Sequence, residues 1–164
     1  MIHLNDTQFQ QLAAAIDIGR SRPTLAERVL GIYADVQRQI DLRRPRCDAS
    51  GRCCRFEQFG HLLFVSTIEL AAFAGSIEVA RPGGFEMADP QPGCPFQIDG
   101  LCSVHTIRPF GCRIFFCDTS AELWQQTQYE QFHLTLRHLH DELDVPYFYV
   151  EWRQGLRAIR QTQK

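Results

Sequence analysis

All seven cysteines of this 164-residue chain fall between Cys47 and Cys117. Three of them, Cys47, Cys53 and Cys54, sit in the glycine-containing run CDASGRCC, and four, Cys94, Cys102, Cys112 and Cys117, punctuate the run CPFQIDGLCSVHTIRPFGCRIFFC. Thiolates are soft ligands, and cysteine-rich sites select zinc or iron–sulfur clusters over magnesium or calcium. Neither run alone carries a familiar ligand quartet at short spacing, so a site has to be assembled by folding one run against the other. Seven thiols exceed the four that one tetrahedral zinc or one four-iron cluster takes. The surplus allows a second metal, a reactive thiol or a structural cysteine. Cys53 and Cys54 are neighbours, and in an extended segment their side chains diverge, so the two can differ in role.

The alternative uses of cysteine are weaker. An odd count cannot pair completely within one chain, and disulfides are rare in reducing compartments. No apolar run approaches the length of a membrane span, and MIHLNDTQFQQL is too polar for a signal peptide, so the expected location is cytoplasmic, with no membrane partner. Buried cysteine as a small hydrophobe explains an isolated residue better than seven in one region. His105, just after Cys102, is a lesser candidate ligand. Arg43, Arg44, Arg46, Arg52 and Arg55 crowd the first cysteine run, either as a solvated basic loop or as charges that offset thiolates. A net charge of −2 gives no general field for nucleic acid, and no protein partner can be named.

Positioning these thiols falls to the flanking segments. Hydrophobic residues at 45% and charged residues at 22% are ordinary for a globular chain. One of this length buries about 70% of its unfolded surface, so metal is not needed merely to fold it. Asn5 to Ile18 reads as a helix capped by Asn5 or Asp6 and stopped by Gly19. Thr24 and Glu27 match a capping box for a second helix over 24–42, with Leu25, Val29, Ile32, Val36 and Ile40 on one face and Pro45 beyond its end. Gly60 to Val65 reads as a short buried strand. Ser66 and Glu69 form another box, opening a short helix to about Phe73. The Gly- and Pro-rich stretch 75–93 reads as loop.

Asp99-Gly100 is a two-residue hairpin turn that would bring Cys94 near Cys102. Thr106 to Phe110 reads as one helical turn. Thr119 and Glu122 suggest a third box before a long helix from Leu123 to Leu143, seamed by Tyr129, Phe132, Leu136, Leu139 and Leu143. His133, His138 and His140 fall off that seam and read as surface residues. After Pro146, the spacing of Phe148, Trp152, Leu156 and Ile159 predicts a last helix. The expected architecture is a single domain, 1–164, mainly α with a small β-hairpin. Helical segments 1–45 and 118–164 bracket an irregular cysteine-rich metal-binding centre at 47–117.

The combination of CDASGRCC, FVSTIEL and CPFQIDGLCSVHTIRPFGCRIFFC resembles the YkgJ-type cysteine-cluster family, described as a zinc- or iron-chelating domain, over about residues 47 to 117. On that resemblance Cys47, Gly51, Cys53 and Cys54 hold the first motif, and Cys94, Cys102, Arg108, Pro109, Cys112, Arg113 and Cys117 the second. Ser50 stands where the family's second cysteine is expected, and His105 lies in a region where the local match is shifted. The family is distantly similar to flagellin lysine methylases, which use an iron–sulfur cluster and S-adenosylmethionine; this chain is much shorter, and their activity does not transfer with the cysteines. Arg108 and Arg113 also have a physical reading as cofactor-binding residues, because guanidinium groups beside a thiolate-held cluster offset its charge and donate to sulfur.

The expected function is therefore a metal-binding protein with an iron–sulfur cluster or zinc on Cys47, Cys53, Cys54, Cys94, Cys102, Cys112 and Cys117, serving redox or cofactor-dependent modification chemistry. The alternatives are a structural-zinc interaction module and a metal-free thiol redox protein acting through Cys53 or Cys54. No catalytic triad, phosphate loop or zinc-protease motif appears.

Overall fold

Thr67–Ala80 forms a helix at the centre of the computed structural model, which describes residues 4–162. Its buried residues include Ile68, Leu70, Ala71, Phe73, Ala74 and Ile77. They leave no continuous polar face, so the helix lacks the stripe that marks a surface helix in sequence. The reading from sequence ends it near Phe73 because a Gly- and Pro-rich stretch begins at Gly75, whereas the helix runs through Gly75 to Ala80 and takes up the first part of the loop expected over 75–93.

In chain order the elements are α1 (Asp6–Arg20), α2 (Leu25–Arg43), α3 (Phe56–Phe59), β1 (Phe64–Ser66), α4 (Thr67–Ala80), β2 (Gln97–Ile98), β3 (Leu101–Cys102), α5 (Phe110–Ile114), α6 (Glu122–Leu143), β4 (Tyr149–Glu151) and α7 (Trp152–Thr162). The fold is mainly α, with β2 and β3 forming the expected hairpin around Asp99-Gly100, both at positive φ. A second antiparallel pair joins β1 to β4, with Val65 opposite Val150. Helices α1, α2 and α7 pack around α4. Phe73, Phe96 and Trp152 meet at its flank, with Phe73 and Trp152 edge-to-face at 4.9 Å between ring centres.

Several boundaries differ from expectation for physical reasons. Asn5 and Gln8 form the α1 capping box, but Gly19 does not stop that helix. It serves instead as a close approach, since a Cβ there would lie 2.8 Å from the Cβ of Ala71 on α4. Thr24 already has helical φ and ψ and makes no side-chain cap, so the Thr24–Glu27 box does not form. Before α6, Asp118 rather than Thr119 supplies the cap, accepting from the Ser120 amide across a single 3-10 turn. β1 begins at Phe64, not Gly60, and Phe148 precedes β4, so only Trp152 onward is helical at the C-terminal end. The turn expected over 106–110 is replaced by α5, which starts at Phe110 after Pro109. His140 is not a surface residue: it is buried, with Nδ1 3.1 Å from the Val145 carbonyl oxygen.

One buried carboxylate ties this frame together. Glu69 Oε2 accepts from the amide and hydroxyl of Ser66, both at 2.9 Å. Its Oε1 accepts from the Phe110 amide at 2.9 Å and from the Tyr33 hydroxyl at 3.3 Å. The starts of α4 and α5 and the middle of α2 thus share one side chain. Burial raises the Glu69 pKa, opposed by these donors. In Glu69→Gln an amide NH2 would replace one oxygen and face two donors, leaving them unsatisfied. We expect a loss of about 2–3 kcal/mol in urea unfolding; a loss below about 0.5 kcal/mol would show that the carboxylate is not a tie.

Candidate metal centre

The two cysteine runs meet where two glycines allow their backbones to cross. The Cys94 amide donates to the Cys54 carbonyl at 2.8 Å, and Gln97 Nε2 donates to the Gly51 carbonyl at 3.0 Å. Gly93 has φ +60, and a Cβ on it would lie 2.6 Å from the Cys54 carbonyl oxygen. Gly51 has φ +70, and a Cβ there would lie 2.5 Å from the Gly100 carbonyl oxygen. Both positions combine a backbone conformation that favours glycine with an approach that a side chain would block. A 3-10 turn, Arg52–Cys54, follows Gly51. Phe96, buried in the aromatic core, anchors the hairpin that carries Cys102.

The crossing gathers four thiols. Cys102, Cys53 and Cys94 lie near enough to Cys54 that their influence, more than burial, pushes its pKa up. Cys54 is in turn the main cause lowering the other three: Cys53 to about 7, Cys102 to about 6, and Cys94 downward as well. Cys102 acts on Cys53 and Cys94 only through charge. Among the described residues, no three His, Cys, Asp or Glu side chains are grouped so as to hold a metal ion.

The remaining cysteines lie close by. Cys47, Cys112 and Cys117 share with Cys53, Cys54 and Cys102 the lining of one cavity of about 240 Å³. Cys112 responds chiefly to burial and then to the charge of Cys94, Cys53 and Cys102, all raising its pKa. Cys47 is exposed, and the Ser50 hydroxyl is 4.0 Å from the Cys117 sulfur. Ser50 therefore faces the second run from the first.

Arg108, Arg113 and His105 line the same cavity. Arg108 lowers the pKa of Cys53 and Cys102 by its charge, after the larger effect of Cys54. Arg113 is held by the carbonyls of Arg108 and Thr106, both at 2.8 Å, with its guanidinium 4.3 Å from the Tyr33 ring centre. It braces the 106–113 segment as well as facing the cavity. Burial, aided by Arg108 and Arg113, lowers the His105 pKa.

The donor chemistry around the thiols suits a thiolate-held metal. Arg108 Nε and the indole Nε1 of Trp152 are buried and have no hydrogen-bond partner among the described residues. Trp152 acts on the Cys94 sulfur, lowering its pKa. Unpaired buried donors are costly, and metal-bound thiolates are the acceptors that such N–H groups serve. Trp152 gave no sign of this role in sequence, where it reads as one apolar position of a helix. Glu57 was missed too. Its carboxylate accepts from the Gly93 amide at 2.8 Å and from Arg153 Nη1 at 2.5 Å, so it holds the residue that precedes Cys94.

No family model, curated protein or solved structure matches this chain.

The hold of Glu57 has an acid signature. Arg153, then the Gly93 amide, lowers its pKa from 4.5 to about 2. A depressed carboxylate contributes stability that is present above pH 4.5 and is lost as pH falls toward 2. The thermal midpoint of Glu57→Gln is therefore expected to lie below that of the unsubstituted protein at pH 6, with the gap closing by about pH 2. A gap that persists at pH 2 would assign the stabilisation to something other than the ionised carboxylate.

Proposed function

We propose that this chain is a cytoplasmic metal-binding protein carrying an iron–sulfur cluster or zinc on cysteine thiolates. The observation that supports the reading is that Cys53, Cys54, Cys102 and Cys112 line one cavity with Cys47 and Cys117, while the Cys94 amide is bonded to the Cys54 carbonyl. Cys53, Cys54, Cys94 and Cys102 would hold the metal. Cys112 lies within electrostatic range, and Cys47 and Cys117 line the adjoining cavity. When bound, a cluster supplies one-electron chemistry, whereas zinc supplies either a closed structural cross-link or, with an open position, a Lewis acid. The chain's own part is to place the sulfurs, to offset their charge with Arg108, and to offer the Trp152 and Arg108 N–H groups to sulfur. The motif resemblance to the YkgJ-type cysteine-cluster family supports the same reading, as does the absence, among the described residues, of any helix long and apolar enough to cross a membrane.

Metal analysis and a visible spectrum of the full chain purified without oxygen test the proposal. We expect about one zinc per chain, or iron with sulfide and charge-transfer absorption. Serine at Cys53, Cys54, Cys94 or Cys102 should each weaken retention at least tenfold, and serine at Cys47 or Cys117 far less. Metal-free protein from anaerobic cells grown with iron and zinc would end the proposal.

A second reading, thiol redox chemistry at Cys53, draws on one specific observation: contact with Cys54 brings its pKa to about 7, and it lines a cavity. It predicts alkylation of metal-free protein fastest at Cys53, rising through pH 7 with the thiolate. Equal rates at all seven cysteines, followed by peptide mass spectrometry, would remove it.

A further inference from the structure

A second cavity, of about 310 Å³, lies against the thiol-lined one, and Cys53, Cys112 and Phe115 line both. Segments distant in sequence build it: Leu62 to Phe64, Gly111 to Phe115 around α5, Gln125 to Tyr129 on α6, and Tyr149 on β4. Among the described residues, no Asp, Glu, Lys or Arg contributes to its lining. A ligand ion there would lose its hydration without a fixed counter-charge, which is expensive. Its walls carry ring faces instead. Phe64 stacks on Tyr149 with centres 5.5 Å apart, and His61 stacks on Phe115 at 5.4 Å. A dry cavity of about 150 Å³ holds benzene, so this space suits a molecule of about two fused rings.

Of the polar groups that line it with His61, Gln125 accepts from the Phe116 amide and Gln126 donates to Glu130, and the tyrosine pair is the feature that bears on an occupant. The hydroxyls of Tyr129 and Tyr149 are hydrogen-bonded to each other, and neither has another partner among the described residues. Burial raises both phenols above their ordinary pKa, so both keep their hydrogens at neutral pH. Two hydroxyls sharing one bond use one hydrogen, leaving the second as a donor. Both residues line the cavity, and a partly desolvated donor of this kind is satisfied by an acceptor oxygen on the occupant.

From these features we infer that the cavity is a binding site for a small, uncharged, two-ring aromatic molecule bearing a carbonyl oxygen. The tyrosine pair recognises that oxygen, and the rings lie beside Cys53 and Cys112. Its position next to a metal rests on the function proposed above; the binding itself does not.

Calorimetric titration of the full chain with three probes tests the inference: 2-acetylnaphthalene, 2-ethylnaphthalene and 2-naphthoate. The ketone should bind one per chain, about three- to tenfold tighter than the hydrocarbon, the range expected for one net hydrogen bond. The carboxylate should bind at least tenfold more weakly than the ketone. In the double variant Tyr129→Phe/Tyr149→Phe the preference for ketone over hydrocarbon should vanish, while hydrocarbon affinity stays within about twofold. If that variant does not fold, Leu62→Trp at the exposed rim should weaken ketone binding at least tenfold.

Absence of saturable ketone binding, equal affinity for the carboxylate, a ketone preference that survives in the double variant, or unchanged affinity in Leu62→Trp would each overturn the inference. Metal content measured on the same samples separates the two proposals. Ketone binding by a metal-free chain would leave this site standing without the metal, and a metal-loaded chain that binds no probe would do the reverse.

Discussion

The molecule depends on two segments without regular structure crossing at van der Waals distance. The Cys94-to-Cys54 backbone hydrogen bond, at 2.8 Å, is the contact at that crossing, and Gly93 and Gly51 make it sterically possible. Any other residue at either position would push the runs apart by about the width of a methyl group. That displacement would separate Cys54 from Cys94 and Cys102 and dissolve the mutual effects on their protons. A local backbone constraint thus controls a chemical property of four side chains.

Carboxylates hold the crossing from outside. Glu57 fixes Gly93 from α3 while meeting Arg153 of α7, and Glu69 fixes the amide at the start of α5, the helix that carries Cys112. Each takes a backbone donor that would otherwise be left without a partner at the edge of an irregular segment. The helical frame and the cysteine region therefore communicate through a few charge-assisted hydrogen bonds and through Phe96 on the aromatic core. Extensive secondary structure does not join them.

Much of the frame was legible because its signals are local. The Asn5 box with Gln8, the Ser66 box with Glu69, the seam of α6 and the Asp99-Gly100 turn each follow from residues within a few positions of one another. The misses share a cause. Thr24 and Thr119 carry the right partners three residues on, but neighbouring turns set their backbone or their cap, so composition alone overstates them. α4 extends past Phe73 because Gly75 is carried within the helix and Ile77 is buried beyond it, so the Gly- and Pro-rich composition overstates the loop, and His140 is buried because the chain after α6 folds back over it. The site was legible only as two runs that ought to meet. The choice of Cys54 as the hub, and the parts played by Trp152, Glu57 and the Tyr129–Tyr149 pair, depend on residues tens of positions apart for which no spacing rule exists.

A proton on one sulfur and a cation among several would relieve the same repulsion between neighbouring thiolates. Three neighbouring sulfurs with lowered pKa accumulate negative charge in a partly buried space, and a positive centre among them relieves the repulsion. With protons, the relief is limited to one hydrogen on one sulfur, and Arg108 supplies the remainder from the cavity wall. A divalent cation or a cluster spreads the relief over every sulfur and gives the buried N–H groups of Trp152 and Arg108 charged acceptors. Because Phe96, Phe110 and Ile114 of the cysteine region belong to the same buried core as the long helices, such binding would bear on the helical frame through those side chains.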